Sequence, residues 1–367
     1  MSNTLTEVEF RPLTIPASMD AADADEFREF TRVRNAIYRE ITGNDDDAMT
    51  PEALLPHYHD DPDEIRYAWV IVTDGEIIGR VGVDLPQEDG SLNAFWLVEL
   101  LGAHHGLGIG SAAYPLVEKT AREHGRTVLQ SWAQHVEPEE PGERLDPPTG
   151  FGTIPLDRAA RFFLRHGYTL EQVERQSNLD LAASAEHVRE LLAEAEAASA
   201  GYEVVQWLLP TPPELADDYA WVKSRMSTDV PAAALVFDEE VWDADRIARH
   251  DQRYVDGGTT ALVTAARERA SGRLVAFNEL TIDDHGGADP AEPSHQEDTL
   301  VLKEHRGHRL GQLVKCAGLK RWHEEIAPLS PKVITYNAEE NRPMLDINER
   351  IGFFPVGYEG AWKKVLS

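Results

Sequence analysis

One cysteine, Cys316, stands in 367 residues, which excludes an intrachain disulfide and any structural zinc site built on several thiolates. Long apolar runs are missing too. No stretch of about 18 residues could span a bilayer as a helix, and mean hydropathy is −0.41. The opening residues show no basic region followed by an apolar one, so a secretory signal is not expected. Basic residues are scarce: 35 Lys and Arg face 65 Asp and Glu, a net charge of −30. A field of that sign repels phosphate backbones and anionic lipid, so neither nucleic acid nor a membrane surface is an expected partner. It fits a solubility surface and, alternatively, attraction of a cationic substrate. The expectation is a cytoplasmic protein.

What is present is globular: 42% hydrophobic, 27% charged and 8% aromatic residues. The length calls for about two domains, and the sequence repeats itself on that scale. Residues 97–125 and 299–325 each read as a strand, a Gly/His-rich turn and an amphipathic helix. Later in each half a helix ends in Gly-aromatic, at Gly167-Tyr168 and Gly352-Phe353. Gly110 and Gly311 lie 201 positions apart, and Gly167 and Gly352 lie 185 apart. The difference of 16 fits the Pro/Gly/Glu-rich loop over residues 135–155. Each half also predicts a hairpin, across Asp74-Gly75 and across residues 270–272. Helical stretches precede the hairpins at 23–41 and 214–225, and an Ala/Glu-rich helix over 184–200 marks the boundary.

The turns carry the chemistry. In His105-Gly106-Leu107-Gly108-Ile109-Gly110-Ser111 the glycines permit positive φ and close approach of a ligand to the backbone. The helix that follows directs its first free amides and its positive dipole end at the turn, which makes a pyrophosphate cradle. Arg306-Gly307-His308-Arg309-Leu310-Gly311-Gln312 has fewer glycines and two guanidinium groups suited to phosphate. The competing reading of any one such turn is a tight connection needing glycine for geometry alone.

These residues resemble the GNAT superfamily of N-acetyltransferases, whose acyl-CoA turn follows Gln/Arg-x-x-Gly-x-Gly/Ala after the fourth strand. His105 stands where Gln or Arg is usual, and Arg309 replaces the first glycine of the pattern. Asn341, Met344, Gly352 and Phe353 are similar to the family's closing Asn-x-x-Ala…Gly-Phe pattern. The chain is thereby identified as a tandem GNAT protein of the two-domain actinobacterial type. The resemblance implies a mixed α/β fold: two tandem GNAT units, each a splayed, mostly antiparallel sheet flanked by helices. The units would be 1–183, a degenerate first copy, and 201–367, joined by a linker helix over 184–200. It further implies acetyl-CoA or another acyl-CoA as cofactor. Leu100 and residues 105–111 would hold it in the first half. In the second, Val301, Leu302, Arg306, Gly307, His308, Arg309, Leu310, Gly311, Gln312, Asn337 and Asn341 would do so. Asn337 and Asn341 have turn and helix-cap readings as well.

Direct transfer needs a base for the acceptor amine, an amide donor for the thioester oxygen near Val301 and a donor for the leaving thiolate. Family members commonly use a tyrosine in the late helix for the last task. That position is Phe163 in the first half and Asn348 in the second; neither is an acid, but Asn348 can donate a hydrogen bond to the thiolate and is a catalytic candidate on that ground. Tyr336 could reach the thiol or simply pack. Candidate bases are Glu279, Glu297 and Asp298, with His295 nearby, and Glu99 in the first half. Glu279 and Asp298 are the chosen pair; each also reads as a strand-edge charge. No metal is expected: His57-Tyr58-His59 lacks a third ligand. Cys316 reads as a buried apolar residue, Asp45-Asp46-Asp47 as a solvated loop, and Trp207, Trp221, Trp242 and Trp322 as packing residues. The function expected is an acyl-CoA-dependent N-acyltransferase acting on a small-molecule amine. The alternatives are a non-catalytic acyl-CoA-binding protein, one catalytic repeat beside a relic, or a protein acetyltransferase.

Overall fold

The computed structural model describes residues 8–137, 142–229, 231–283 and 292–367. Part of the loop expected over 135–155, residues 138–141, lies outside them. In chain order the first half runs β1 (Val8–Pro12), α1 (Asp25–Thr42), α2 (Pro51–Leu54), β2 (Glu64–Thr73), β3 (Glu76–Pro86), β4 (Asn93–Leu100), α3 (Ile109–Glu123), β5 (Val128–His135), β6 (Arg144–Leu145), β7 (Ile154–Pro155), α4 (Arg158–Arg165) and β8 (Thr169–Asp180). The second runs α5 (Ala185–Ala198), β9 (Tyr202–Leu208), α6 (Pro213–Ser224), α7 (Met226–Asp229), α8 (Ala244–Asp256), β10 (Thr259–Glu268), β11 (Leu274–Asp283), β12 (Ser294–Val301), α9 (Leu310–Arg321), β13 (Lys332–Ala338), α10 (Arg342–Ile351) and β14 (Phe354–Val365). None of the described helices is long and apolar enough to cross a membrane.

Two compact units result, and they do not follow the two halves of the sequence. The first comprises the described residues through Leu145, Pro155–Glu171 and Gly360–Ser367; the second comprises those of Asp146–Ile154 and Gln172–Glu359. Each unit thus includes a strand segment from the other half. In the first, Leu366 donates its amide to the Thr127 carbonyl at 2.7 Å, and the Trp362 ring stacks on Phe163 at 4.8 Å. In the second, β8 pairs antiparallel with β13 from Lys332–Asp180 to Ala338–Glu174. The segment expected as a linker helix is part of the second unit. Val188, Leu191, Leu192 and Ala195 of α5 join Leu313, Cys316 and Trp322 in its core. Its apolar positions at i, i+3, i+4 and i+7 give it one face to bury, which a spacer would not need.

The local signals are met. Asp74 and Gly75 both take positive φ, 52° and 84°, and close the β2–β3 hairpin. Within each unit the strands up to the fourth pair antiparallel. The fourth and fifth then run parallel and touch only briefly. β4 meets β5 over Asn93–Phe95, and β12 meets β13 over Ser294–His295. Beyond those residues the strands diverge, so each unit has the expected splay. Trp207 and Trp322 are buried as expected, whereas Trp221 is 52% exposed, on the face of α6 turned from the core.

Candidate functional site

The two turns have nearly the same backbone. Leu101 and Leu302 have φ/ψ of −56°/140° and −54°/140°. Their amides donate to the Ile78 and Val275 carbonyls at 2.9 and 3.0 Å. His105 and Arg306 follow at −71°/151° and −68°/157°. Gly106 and Gly307 have φ of 76° and 87°. Gly108 and Arg309, the last residues before the helices, are left-handed at 82° and 56°. Even the side chains correspond. His105 Nε2 bonds the Leu100 carbonyl at 2.8 Å, and Arg306 Nε donates to the Val301 carbonyl at 3.2 Å. Each side chain folds back five residues onto the end of its strand, leaving a turn lined by backbone. The first amides of α3 and α9 have no intrahelical acceptor and point into that turn. A pyrophosphate fits such a cradle, since its charge meets amide donors and the helix dipole. Arg309 pairs with Glu194 at 3.1 Å, and the buried Gln312 side chain donates to the Leu191 carbonyl at 2.7 Å. Those two side chains shape the cradle rather than face it.

The strands behind the cradles differ. In the first unit β3 and β4 run in unbroken register from Gly79–Leu100 to Asp84–Phe95. Buried Arg80 holds Glu99 at 2.6 Å, and Arg80 also donates to Tyr38 at 3.2 Å. Trp96 packs with Tyr114, Phe163 and Tyr168, ring centroids 5.3–5.5 Å apart. In the second unit the register shifts between Asn278 and Leu280: Asn278 pairs with Thr299, and Leu280 with Gln296. This bulge turns two consecutive carboxylates, Glu297 and Asp298, onto the α6 face. Asp298 binds Lys223 of α6 at 3.1 Å. Glu297 accepts from Thr281 at 3.0 Å.

Glu279 lies on the same face, and its carboxylate is committed. Lys223 Nζ donates to both its oxygens, at 3.1 and 3.2 Å, and Tyr219 donates its phenolic proton to one of them. Burial by itself would drive the Lys223 pKa down; Glu279 first and then Asp298 outweigh it, so the ammonium is held charged. Tyr219 is pushed far up by burial and then by Glu279, so it stays a donor. Glu297 has no lysine or arginine partner among the described residues. Its pKa is raised, chiefly by desolvation; His295 and Thr281 pull it back, and Asp298 and Glu279 add to the rise. Its side chain nevertheless remains exposed. Both observations fit a concave surface, with enough protein nearby to penalise the charge and an opening for solvent.

On the opposite, α9 face of the splay lies a polar layer. Asn348 is 1% exposed and donates to Asn337 Oδ1 at 2.7 Å. Asn278 donates to Thr299 at 2.8 Å, and Gln296 to Thr335 at 3.2 Å. Strand alternation puts Tyr336 on the other face from Thr335 and Asn337, so the structure does not bring it to Asn348. Asn341 precedes α10 without a side-chain cap bond. Sequence reasoning missed Lys223 and Tyr219; their i, i+4 spacing on a helix was the available signal. Cys316 is buried as expected, with its thiol pushed up to about 12 by desolvation. His59 bonds the Pro16 carbonyl at 3.1 Å. No cluster of three metal-ligating side chains occurs among the described residues.

Known proteins share this architecture. Residues 30–142 match the sequence profile of the Acetyltransferase (GNAT) family. A tandem GNAT protein from the clavulanic acid biosynthesis pathway, solved without AcCoA, aligns over 98% of both chains at 25% identity, with a TM-score of 0.72. A GCN5-related N-acetyltransferase from Sphaerobacter thermophilus shares the fold at 15% identity, over 98% of this chain and 95% of that one, with a TM-score of 0.59. No curated protein matches the chain. The profile lies in the first half, and the tandem protein extends the likeness through the second. Residues 30–142 thus match the GNAT acetyltransferase family, and the chain as a whole shares the fold of a tandem GNAT protein.

Proposed function

We propose that the protein transfers an acyl group from an acyl-CoA, with acetyl-CoA as the expected donor, directly to the amine of a small molecule, and that the second unit performs the chemistry. The repeat copies would be residues 1–183 and 201–367. The observation that carries this reading is the bulge that puts Glu297 and Asp298 on one face beside a splay with its own cradle. When bound, the acyl-CoA supplies an activated acyl carbon and a thiol leaving group. The amides of residues 307–312 hold its pyrophosphate, and the amide near Val301 polarises the thioester carbonyl. Glu297 accepts the amine proton, directly or through water. Asp298 and Glu279, fixed by Lys223, keep the recess negative and favour a cationic acceptor. The first unit has an Arg80–Glu99 pair and the Trp96 cluster in place of such a recess. That favours a second reading for it alone, a binding or structural copy.

The test is thiol release from acetyl-CoA across a panel of small amines, with acetyl-CoA binding measured in parallel. Turnover with one or more amines is expected; binding without turnover across the panel would establish the non-catalytic reading. Arg306 uses Nε on Val301 and has further guanidinium donors for phosphate. Charge-assisted bonds of this kind are worth roughly 1.5–3 kcal/mol. Arg306→Ala should therefore raise the acetyl-CoA dissociation constant of the second unit about tenfold or more at moderate salt. An unchanged constant in a folded variant would remove Arg306 from the site.

A further inference from the structure

Lys315 of α9 is fully buried, and its Nζ has no hydrogen-bond partner among the described residues. The same is true of four amide carbonyl oxygens in the second unit: Asn178 Oδ1 and, in the polar layer of the splay, Asn278 Oδ1, Gln296 Oε1 and Asn348 Oδ1. Helical spacing relates Lys315 to Gly311, Gly318 and Trp322, which share one face of α9. What that face meets is known. A Cβ on Gly311 would lie 2.9 Å from Ile347 and 3.7 Å from Val301; one on Gly318 would lie 3.4 Å from Asn278 Oδ1. Trp322 donates to Ser294 at 2.8 Å. Lys315 therefore projects between helix and sheet, over the diverging part of β12, in the polar layer that contains the three unsatisfied oxygens. A lysine brings three donors, and buried polar groups of this kind are seldom left unmatched.

We propose that Lys315 is the proton donor to the leaving thiolate, in place of the tyrosine that Asn348 replaces. This rests on the acyl-CoA reading of the second unit. The step balances. The amine nitrogen forms a bond to the acyl carbon and gives its proton to Glu297. The C–S bond breaks, its electron pair goes to sulfur, and sulfur takes a proton from Lys315 Nζ. Solvent then reprotonates the lysine. The protein environment suits the task. Desolvation pushes Lys315 down to about 7, opposed only by the neighbouring Cys316 thiol. The polar layer on this face of the sheet is made of the neutral Asn278, Gln296 and Asn348, and α5 contributes Val188, Leu191 and Leu192 to the core that contains Cys316. Glu297, Asp298 and Glu279 lie on the other face of the sheet. An acid with a pKa near 7 is well matched to transfer at neutral pH.

The experiment reads the ionisation of the thiol of bound CoA, by thiolate absorbance, in the wild-type protein, Lys315→Met and Lys315→Arg. Wild type is expected to lower the bound thiol's pKa by at least about one unit relative to free CoA, a tenfold effect. Lys315→Met should abolish that shift. Lys315→Arg keeps the cation and the shift but cannot yield a proton, so its kcat should fall about a hundredfold with little change in acetyl-CoA affinity. The unsubstituted protein offers a second measurement: CoA, and not desulfo-CoA, should raise the proton affinity of Lys315 followed by NMR. Failure of wild type to bind CoA would overturn the acyl-CoA reading, and this inference with it. Binding with the same thiol pKa in wild type and Lys315→Met, or an equal response of Lys315 to CoA and desulfo-CoA, would overturn this inference alone.

Discussion

Lys223→Met is expected to destabilise the second unit by about 3–5 kcal/mol, the usual cost of breaking a buried ion pair from one side. The Lys223 side chain is 3% exposed and that of Glu279 8%. Removing the ammonium leaves Glu279 with Tyr219 as its remaining donor and a charge it cannot share with water. Three rings also lose their cation: Trp242, Phe277 and Tyr219 have centroids 5.1, 5.5 and 5.7 Å from Nζ. Urea unfolding is the direct measurement; a melting temperature lower by roughly 10 °C is the companion result. Lys223→Met combined with Glu279→Leu should recover much of the loss, because no charge is then stranded. A loss under about 1 kcal/mol in the single variant would mean that the recess is wet, since exposed pairs contribute no more than that. The folded-state pKa of Lys223 lies above its unfolded value. Its contribution is therefore complete below the unfolded value near 10.5 and is lost only as pH rises through the folded one, so the effect should be flat across neutral pH.

Glu297→Gln is expected to lower turnover by a factor of about 10²–10⁴ at saturating acetyl-CoA, as removal of a general base does. Gln keeps the shape and the bond from Thr281 and loses the basic lone pair. The raised pKa of Glu297 adds a second signature. The acid limb of the wild-type rate profile should lie above the ordinary carboxylate range, and Glu297→Gln should lack it. Glu279→Gln and Asp298→Asn should act more through the ion-pair network, weakening stability or acceptor affinity. Glu99→Gln should leave the rate intact. If Glu297→Gln and Asp298→Asn keep near-normal rates while Glu99→Gln abolishes them, the reaction takes place in the first unit.

The cradles were legible because they are local. A strand, a left-handed turn and a helix start are encoded within about a dozen residues, and spaced glycines announce them. The paired offsets of Gly110–Gly311 and Gly167–Gly352 then expose the duplication. The identity of the base was less legible. Glu279, Glu297 and Asp298 look alike in sequence. What separates them is a register shift between β11 and β12 and a lysine on a distant helix, both products of tertiary pairing. Lys315 was hidden for a similar reason: a lone lysine in an amphipathic pattern reads as surface. The packing of α9 against the sheet, a tertiary contact, is what buries it.

The exchanged strands bear on how the chain matures. Residues 360–367 complete the first unit, whose other parts end at Glu171. A ribosome that has finished the first half has therefore released a sheet with one edge still open, and it must go on to the last strand before that edge can close. Through that interval the exposed amides and carbonyls of β5 are a template for any passing strand. Contacts such as Leu366 to Thr127 span most of the chain, and so distant a closure is slow. The nascent chain thus keeps that edge unpaired for longer than its two modest units would suggest. Proteolytic nicking between the halves after folding would likewise leave two fragments held by each other's strands rather than two free domains.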